Sequence, residues 1–260
     1  MQALYDYING LDLENRLMAR KMLDLFQRDF DNQPIRATDY LTPHENAIVE
    51  SILHHMEGIY HRSEGGSIDS ERKVILFSWS EQFLDQSIDE WIGAVAVSGL
   101  SKASTHRDVL GSLLGLGINR NKIGDIYVEK EIAYILMKKE FLEFVTTQLK
   151  EVGRNNVYVE EKDLSIFQNI RHELVEEKHI VASTRLDNIV AAVLNTSRGK
   201  AVTLIERKNV RLNWLDTTKK NTVVKERDVF SIKGKGKYQF DGIIKETKKK
   251  NLVIGVKRYI

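Results

Sequence analysis

The stretch THRDVLGSLLGLGINRNKIGDIYV, residues 105–128, predicts a helix that ends in a short loop and leads into a strand. Gly111 and Gly115 are four residues apart, so they fall on one helix face, where we expect them to allow close packing on a sheet. Gly117 suits the left-handed position just beyond a helix. The stretch therefore predicts a helix–loop–strand unit whose helix covers a sheet.

The segments on either side extend this unit into a βαββαβ order. An apolar run, IGAVAVSGL, precedes the helix, and EIAYILM, KEFLEFVTTQLKEV and NNVYVEE follow the first strand as strand, helix and strand. This order is that of the ferredoxin-like or RRM-like split unit. One further strand, KVILFSW, comes before it. The sequence thus predicts an α+β fold with an RRM-like domain over residues 71–181.

Residues 1–70 predict a helical N-terminal region. Thr42 and Glu45 form a capping-box pattern, and Pro43 occupies the first helical position. The segment SEGGSIDSER, residues 63–72, is typical of a domain boundary.

The C-terminal part, residues 182–260, differs from the rest in charge. Residues 183–260 contain 19 Lys and Arg against 7 Asp and Glu, a net charge of +12. The other 182 residues hold 20 basic and 30 acidic residues, a net charge of −10. Such asymmetry indicates a small module that meets a polyanion, although a lysine-rich solvated surface is the alternative.

Several classes of protein are disfavoured by composition. The sequence has no cysteine, so disulfides and thiolate metal sites are excluded, and we expect a cytoplasmic protein. No apolar stretch has the length of a signal-peptide core or of a membrane span, so we expect no membrane attachment.

The C-terminal sequence resembles the S-four RNA-binding domain. The resemblance is carried by Arg-Leu-Asp at 185–187, Ser-Arg-x-x-Ala at 197–201, Val-x-Leu-Asn at 210–213 and Asp-Val-Phe-Ser-Ile at 228–232. Three positions where members of that family usually have glycine carry other residues here: Asn209, Trp214 and Arg227. We expect Asn209 to take the left-handed conformation after the second helix of this domain.

The whole chain is similar to the YlmH family, which has a helical N-terminal part, an RRM-like centre and a C-terminal S-four domain. The motifs HRDVLGSLLGLGINRNKIGDI, residues 106–126, and LTPHE, residues 41–45, carry this similarity. It implies a monomeric ribosome-associated protein that acts in quality control on the large subunit after stalled translation. The implied partners are large-subunit rRNA, peptidyl-tRNA and other quality-control factors. The genes of the family often lie near cell-division genes, so a protein-interaction adaptor in cell division is the alternative.

The expected RNA contacts are basic residues of the C-terminal part. Ser197 is predicted to cap a helix that then begins with Arg198 and Lys200. Cations in a first helical turn are disfavoured by the helix dipole, whereas a docked phosphate would be stabilised by it. Charge reversal of both residues is therefore expected to weaken RNA binding without loss of stability, unless Arg198 is an ion-pair partner. The full set of candidates is Arg185, Ser197, Arg198, Lys200, Arg207, Lys208, Arg211, Lys233, Lys235 and Lys237.

The sequence predicts the arrangement of three of these lysines and offers a second group of basic residues. Lys233, Lys235 and Lys237 alternate along a predicted strand, so we expect them to form one cationic row. His106, Arg107, Arg120 and Lys122 flank the central helix and are candidates for a secondary RNA contact, against a solvated or salt-bridged surface. The central strands lack the aromatic pattern with which RRM domains stack bases, since Tyr127 and Tyr134 are isolated.

No motif predicts catalysis, a cofactor or a metal. His106-Arg107-Asp108 lacks the metal-binding Asn of kinases, because Leu113 occupies that position. The glycines after it match neither a Rossmann fingerprint nor a P-loop. The Arg-Leu-Asp motif of pseudouridine synthases lies here inside the S-four-like segment, so we expect Asp187 to support local structure. His44, His54, His55 and His61 lack the spacing of a zinc site, so scattered surface histidines are the preferred reading.

Overall fold

The computed structural model describes residues 2–27, 34–68, 70–85, 88–168 and 173–260. The chain divides into two units, residues 1–171 and residues 172–260, each with its own hydrophobic core. Both units combine helices with antiparallel sheets, which confirms the α+β class. Within the described ranges, no helix has the length and apolar character that crossing a membrane requires.

The first unit contains five helices and nine strands among its described residues. In chain order they are α1 (Gln2–Gly10), α2 (Leu13–Gln27), β1 (Ile35–Ala37), α3 (Pro43–His54), β2 (Tyr60–Glu64), β3 (Val74–Ser78), β4 (Ile92–Ser98), α4 (His106–Gly115), β5 (Ile123–Glu129), β6 (Ile132–Lys138), α5 (Leu142–Gln148), β7 (Glu151–Val152), β8 (Asn155–Asn156) and β9 (Tyr158–Lys162).

The predicted βαββαβ unit is confirmed as β4-α4-β5-β6-α5-β9. Its four strands form one antiparallel sheet in the order β5-β6-β4-β9, so the first strand, β4, lies between the third and the fourth. The helices α4 and α5 cover one face of this sheet. Their apolar side chains pack on the strand residues that point to that face, which include Val95, Ile135 and Met137.

The helix α4 is present and ends before Gly117, as predicted. Thr105 is its N-cap and forms a capping box with Asp108. Gly117 follows the helix with φ +86°. The expectation for Gly111 and Gly115 is wrong: a Cβ at either position would meet nothing within 4 Å. These two glycines lie away from the sheet, because Val109 and Leu113 supply the buried face of α4.

The N-terminal region is not helical throughout. The capping box at Thr42 and the helix α3 are confirmed, but β1 and β2 both pair with β3 in a sheet of order β1-β3-β2. Every residue of β3 is buried. A buried backbone must find hydrogen-bond partners, and β1 and β2 supply them on its two sides. The sequence of β2, YHRSE, has no alternating apolar residues, so pattern analysis could not identify it.

The second face of the four-stranded sheet is buried as well. Ile92 and Ala94 of β4, Leu136 of β6 and Tyr127 of β5 share a core with residues of β1, β3 and the turn at 164–168. The sheet is therefore sandwiched between its two helices and the N-terminal strands. The region assigned to residues 1–70 and the strand β3 form one structure with the RRM-like unit, without the predicted boundary at 70.

The segment predicted as a boundary, residues 63–72, is fixed to β5. The carboxylate of Asp125 accepts hydrogen bonds from the backbone N–H groups of Glu71, at 2.6 Å, and Arg72, at 3.3 Å. The guanidinium of Arg72 donates to the carbonyls of Ile123, at 3.2 Å, and Tyr40, at 2.9 Å. Two hydrogen-bonded side chains thus join Glu71 and Arg72 to β5, within the segment predicted as a domain boundary.

The second unit is a six-stranded antiparallel sheet with two helices on one face. Its elements are β10 (Leu174–Val181), α6 (Leu186–Val193), α7 (Arg198–Glu206), β11 (Val210–Leu212), β12 (Leu215–Asp216), β13 (Val229–Ile232), β14 (Gly236–Glu246) and β15 (Leu252–Tyr259). The strand order is β10-β15-β14-β13-β11-β12. Leu186, Ile189, Val190, Ala201 and Ile205 of the helices pack on Phe230, Ile232 and Phe240 of the sheet.

The division between the units lies earlier than the predicted boundary at 181/182. All eight residues of β10 pair with β15, from Leu174 opposite Tyr259 to Val181 opposite Leu252. Residues 174–181 therefore belong to the C-terminal sheet. The sequence LVEEKHIV does not predict a strand from its apolar pattern, because only one of its residues, Val181, is buried.

We predict that a fragment of residues 172–260 unfolds cooperatively and that a fragment of residues 182–260 is much less stable. The shorter fragment lacks β10, so it exposes the unpaired edge of β15 and loses the buried Val181. Urea unfolding followed by circular dichroism measures both free energies. Equal stability of the two fragments would contradict the assignment of β10 to this unit.

We predict opposite effects of alanine at two glycines of the first unit. A Cβ at Gly124 would lie 2.7 Å from the ring of Tyr40, so Gly124→Ala should destabilise by about 1–3 kcal/mol. Gly111 lies in a helix with open space around it, so Gly111→Ala should be neutral or stabilising by up to about 1 kcal/mol. Thermal unfolding of the two full-length variants tests this difference, and a destabilised Gly111→Ala would restore the original packing expectation.

Candidate nucleic-acid interface

The helix α7 has a defined cap at each end. The Ser197 hydroxyl accepts a hydrogen bond from the backbone N–H of Lys200, which confirms Ser197 as the N-cap. At the other end, the N–H groups of Lys208 and Asn209 donate to the carbonyls of Ile205 and Leu204, the two bonds of a Schellman motif. Lys208 carries the positive φ, +56°, so the expectation of a left-handed Asn209 is wrong by one residue.

A buried carboxylate organises the N-terminal ends of both helices. Asp187 is fully buried and accepts hydrogen bonds from two arginines. Arg198 donates from Nε at 2.9 Å, and its Nη2 lies 2.8 Å from the same oxygen. Arg185 donates from Nε at 3.3 Å and from Nη2 at 3.1 Å. The expected structural role of Asp187 thus takes the form of an Arg185–Asp187–Arg198 cluster, which we call the Asp187 clamp.

The Asp187 clamp is charged and only partly closed. Burial alone would raise the pKa of Asp187, but the hydrogen bonds from Arg198 and Arg185 outweigh it and hold that pKa below its ordinary value. The side chains of Arg198 and Arg185 remain 56% and 35% exposed. One carboxylate between two guanidinium groups leaves a net charge of +1 that solvent, or an anion, can reach.

The Asp187 clamp corrects the expectation for the double variant of Arg198 and Lys200. Arg198 is an ion-pair partner of a buried carboxylate. This is the alternative under which charge reversal of Arg198 lowers stability. Arg198→Glu would place a second carboxylate beside Asp187, so a variant with this change should melt earlier. Loss of RNA binding in such a variant could not be separated from unfolding.

The N-terminus of α6 is closed to ligands. The backbone N–H groups of Leu186 and Asp187 donate to the carbonyls of Thr222, at 2.8 Å, and Lys220, at 3.1 Å. The loop before β13 therefore occupies the donors that a phosphate would use at this helix end. The sequence TVVKERD, residues 222–228, predicts a strand, and this prediction is wrong: its only ladder contact among the described residues is the isolated bridge between Val223 and Arg185.

A second group of cations lies along α7 and at its C-terminal end. Lys200 and Arg207 are seven residues apart and exposed, so they share one outer face of the helix. The backbone N–H of Lys233 donates to the carbonyl of Asn209 at 2.9 Å and thereby holds the turn between β13 and β14 beside the helix end. In the part of the chain that the structure describes, no hydrogen bond or ion pair occupies the side chains of these exposed cations: Lys200, Arg207, Lys208, Lys233 and Lys235. We call this set the α7 cationic surface.

The predicted row of three lysines on one strand is wrong. Lys233 and Lys235 lie in the turn, where Gly234 has φ +72° and Gly236 has φ +122°. Only Lys237 lies on β14. Its ammonium sits 4.1 Å from the ring centroid of Tyr259, on the neighbouring strand. The lysine–glycine alternation thus marks a tight hairpin, for which the glycines supply the positive φ.

Arg211 is exposed on β11 and pairs with Asp216 of β12 at 2.7 Å. Because this ion pair is solvent-exposed on both sides, it contributes little to stability and leaves the guanidinium accessible. Arg211 therefore remains available as a contact on the sheet.

The four candidates around α4 separate into two groups. Arg120 donates to the carbonyls of Ile123 and Gly124, and burial lowers its pKa to about 10. Lys122 contacts Asp39 at 2.6 Å and Glu140 at 3.2 Å. Both cations therefore have partners within the unit, as in the salt-bridged alternative, and the secondary RNA contact stays a prediction for them.

His106 and Arg107 are exposed at the start of α4. Arg107 borders a groove of about 590 Å³ that Lys150, Asp108 and Glu151 also line. This lining mixes both charges, so the groove shows no preference for an anion.

The sheet face with which RRM domains bind RNA is not accessible in the first unit. Tyr127 is buried, and the rings of Tyr127 and Tyr134 each lie 6.1 Å from that of Phe167. Stacking of bases on these two tyrosines would require displacement of the segment that carries Phe167. The central aromatic residues therefore belong to the core, in agreement with their isolated positions in the sequence.

The histidines of the first unit are dispersed over different contacts. The rings of His54 and His61 meet edge to face at 5.6 Å, whereas His55 stacks on Tyr7 and His44 contacts Asn15. No group of three or more potential metal-ligating residues occurs among the residues described.

Comparison with known proteins identifies the family. Residues 94–166 match the family described as "Putative RNA-binding domain in YlmH". The chain is also 30% identical over 218 residues to "Ribosome-associated protein quality control protein P2" of Bacillus subtilis, across 83% of this chain and 84% of the relative. The chain belongs to the YlmH family.

A solved structure of a YlmH protein supports the fold. "Cell division protein ylmH from Streptococcus pneumoniae" is 24% identical, has a TM-score of 0.53 and covers 62% of this chain and 98% of its own. The residues that match the YlmH domain description, 94–166, run from within β4 to the turn that carries Phe167. They therefore include the four-stranded sheet whose two faces are buried.

Sequence reasoning did not identify every residue of interest in this YlmH protein. In the sequence, Trp214 is only a departure from the usual glycine, and Tyr259 belongs to no recognised motif. Their proximity to Lys237 depends on the register of β13, β14 and β15, which the sequence does not display. The one available signal was an aromatic residue after Asn213, in a position typical of a turn.

We predict that Asp187→Asn lowers the free energy of unfolding by about 1.5–3 kcal/mol, because hydrogen bonds between charged groups are weakened. Urea unfolding of the full chain at neutral pH measures the change, and Lys200→Ala, which removes an exposed cation outside the Asp187 clamp, is the control. Because folding lowers the pKa of Asp187, its contribution is fully present above the unfolded value of about 3.9. The difference between wild type and variant should disappear as the pH falls through the lower, folded pKa. A difference that persists or grows in acid would contradict the role of the Asp187 clamp.

Proposed function

We propose that this protein is a non-catalytic RNA-binding protein that binds rRNA of the large ribosomal subunit and acts in quality control of stalled nascent chains. The observation that carries the proposal is the α7 cationic surface, whose five cations have no hydrogen bond or ion pair within the described residues. Exposed cations that serve no contact in the fold are available to phosphates, which form most contacts between proteins and structured nucleic acids.

The charge of the second unit supports an RNA partner. Residues 172–260 contain 20 Lys and Arg against 10 Asp and Glu, a net charge of +10. A double-stranded RNA helix has a deep and narrow major groove, so proteins recognise it by its shape and its backbone. A helix flanked by a basic turn suits that mode of binding. We assign this role to the second unit as an S-four-type RNA-binding domain.

The names of related proteins support the ribosomal setting. The Bacillus subtilis relative is named a ribosome-associated quality-control protein, and the domain description that matches residues 94–166, in the first unit, names RNA binding. On this basis we propose large-subunit rRNA as the target, with peptidyl-tRNA and other quality-control factors as neighbours. The protein would then act in the cytoplasm, as a monomer.

The candidate acids of the sequence have structural roles, which supports a function without catalysis. Asp108 accepts hydrogen bonds from the N–H and the hydroxyl of Thr105, and these bonds lower its pKa. Asp187 is held between two arginines. A carboxylate engaged in this way is a poor general base or nucleophile, because its partners stabilise the ionised form.

We predict that Lys200→Glu with Arg207→Glu weakens binding to large ribosomal subunits at least tenfold, equivalent to about 1.4 kcal/mol. The variant reverses two exposed cations outside the Asp187 clamp, so its melting temperature should stay close to that of the wild type. Co-sedimentation of the full chain with purified subunits over a range of protein concentrations gives the affinity. The variant should also have a weaker dependence of affinity on salt, because fewer counterions are released on binding.

The matched control is Lys248→Glu with Lys249→Glu. It makes the same change in charge on the same unit, in the turn between β14 and β15. That turn lies at the far end of the 11-residue strand β14 from the turn at 233–235, roughly 30 Å away at about 3.3 Å per residue. Equal losses in both variants would show a nonspecific charge effect. Wild-type protein that stays free of subunits at low salt would refute the proposed function and favour the adaptor in cell division.

A further inference from the structure

The turn between β11 and β12 contains a tryptophan in a strained backbone conformation. Asn213 and Trp214 have φ +49° and +67°. Asparagine tolerates this region, whereas a bulky aromatic residue rarely adopts it, and glycine is the usual choice at the second position of such a turn. Asn213 holds the turn, because its side chain donates to Asp228 and accepts from the N–H of Val229. The turn itself therefore gives no reason for an indole at position 214.

The strand register places three exposed or partly exposed side chains in a row beside this tryptophan. Arg211 of β11 lies opposite Ser231 of β13, which lies opposite Lys237 of β14. The neighbours of Ser231 along its strand, Phe230 and Ile232, point into the core under the helices. Since alternate residues of a strand point to opposite faces, the row lies on the outer face of the sheet.

Two aromatic rings flank the lysine of this row. The Lys237 ammonium is 4.1 Å from the ring centroid of Tyr259 and 5.7 Å from that of Trp214. Both rings are partly exposed. The outer face of the sheet thus presents an aromatic residue, a cation and a second aromatic residue in succession, with Arg211 nearby.

We propose that Trp214, Lys237 and Tyr259 form a stacking platform for unpaired nucleobases of RNA. Aromatic rings stack on any base, and interleaved cations contact the phosphates of the same strand. The bases of a double helix are already stacked on one another, so the ligand class is single-stranded or looped RNA. The net charge of the unit matches RNA and would repel a basic protein partner.

The platform and the α7 cationic surface lie on different sides of the second unit. The helices cover the core face of the sheet, whereas the platform lies on the outer face. Paired RNA at α7 and an unpaired segment at the sheet can therefore be bound together. This inference rests on the proposed function for its ligand class, RNA, but it concerns a different site from the α7 cationic surface.

Trp214→Gly in the full chain tests the platform. The probe is a single-stranded 12-nucleotide oligoadenylate, and a fully paired RNA hairpin is the comparison. We expect the oligoadenylate to quench tryptophan fluorescence of the wild type. Trp214→Gly should lose this quenching, bind the oligoadenylate at least fivefold more weakly by fluorescence anisotropy, and bind the hairpin as the wild type does. Its melting temperature should be equal or higher, because glycine relieves the strain at this position.

The control is Trp79→Phe, which changes an exposed tryptophan of the other unit and should retain both the quenching and the affinity. Unchanged oligoadenylate binding by Trp214→Gly would overturn the platform, and so would an equal loss of hairpin binding or a lowered melting temperature. Wild-type protein that binds subunits but not the oligoadenylate would also overturn the platform, and it would leave the proposed function intact. Wild-type protein that binds neither subunits nor hairpin would instead refute the proposed function.

Discussion

Burial of both faces of the sheet β5-β6-β4-β9 is the constraint on which the first unit depends. A two-layer βαββαβ fold covers one face with helices and leaves the other to solvent. Here the exposed face would carry Ile92, Leu136 and Tyr127, a large apolar surface. The strands β1 and β3 and the turn with Phe167 cover it instead, so the N-terminal region and the RRM-like unit stabilise each other.

This second cover changes what the first unit can do. Aromatic residues on the sheet are used in packing, and Arg72 and Arg120 are used to satisfy carbonyls around β5. Lys122 is neutralised by Asp39 and Glu140. The central cations of this unit are thus engaged in internal contacts, and residues 1–171 hold 27 acidic against 19 basic residues. The RNA-binding domain description matches residues 94–166 of this same unit. The second unit has many of its cations exposed at the surface. The two parts of the chain thus differ in net charge and also in whether their basic side chains contact the protein itself or solvent.

In the Asp187 clamp, the same arginines pair with a buried carboxylate and remain accessible to solvent. Its carboxylate holds Arg185 and Arg198 in fixed positions, and the exposed part of each guanidinium still faces solvent. Positioning of this kind reduces the side-chain entropy that an arginine loses when it contacts a phosphate. Asp187 would thus act on RNA binding through the arginines, without touching the ligand.

The sequence predicted those elements whose signals are local. The capping box at Thr42, the helix end at Gly117 and the βαββαβ order all follow from short-range patterns. The strand β10 could not be predicted, because it lies at a sheet edge and buries one residue in eight. The prediction that Lys233 and Lys235 lie on a strand is wrong for a related reason. Alternating residues share one face only within a strand, and here Gly234 and Gly236 turn the chain.

Backbone strain in the second unit connects its fold with its proposed role. Lys208, Trp214 and Arg227 all have positive φ, at +56°, +67° and +71°. Glycine at each position would relieve a cost of roughly 1–2 kcal/mol, although it would also add entropy to the unfolded chain. Arg227 is exposed, and its N–H donates to the carbonyl of Phe240, a bond that glycine could make equally well. The backbone thus accounts for the turns but not for the side chains on them. Two cations and one aromatic residue are the types that contact phosphates and bases, so the proposed RNA binding would give a reason for these side chains. Lys250, in the turn between β14 and β15, also has a positive φ, +61°, so positive φ alone does not mark an RNA contact.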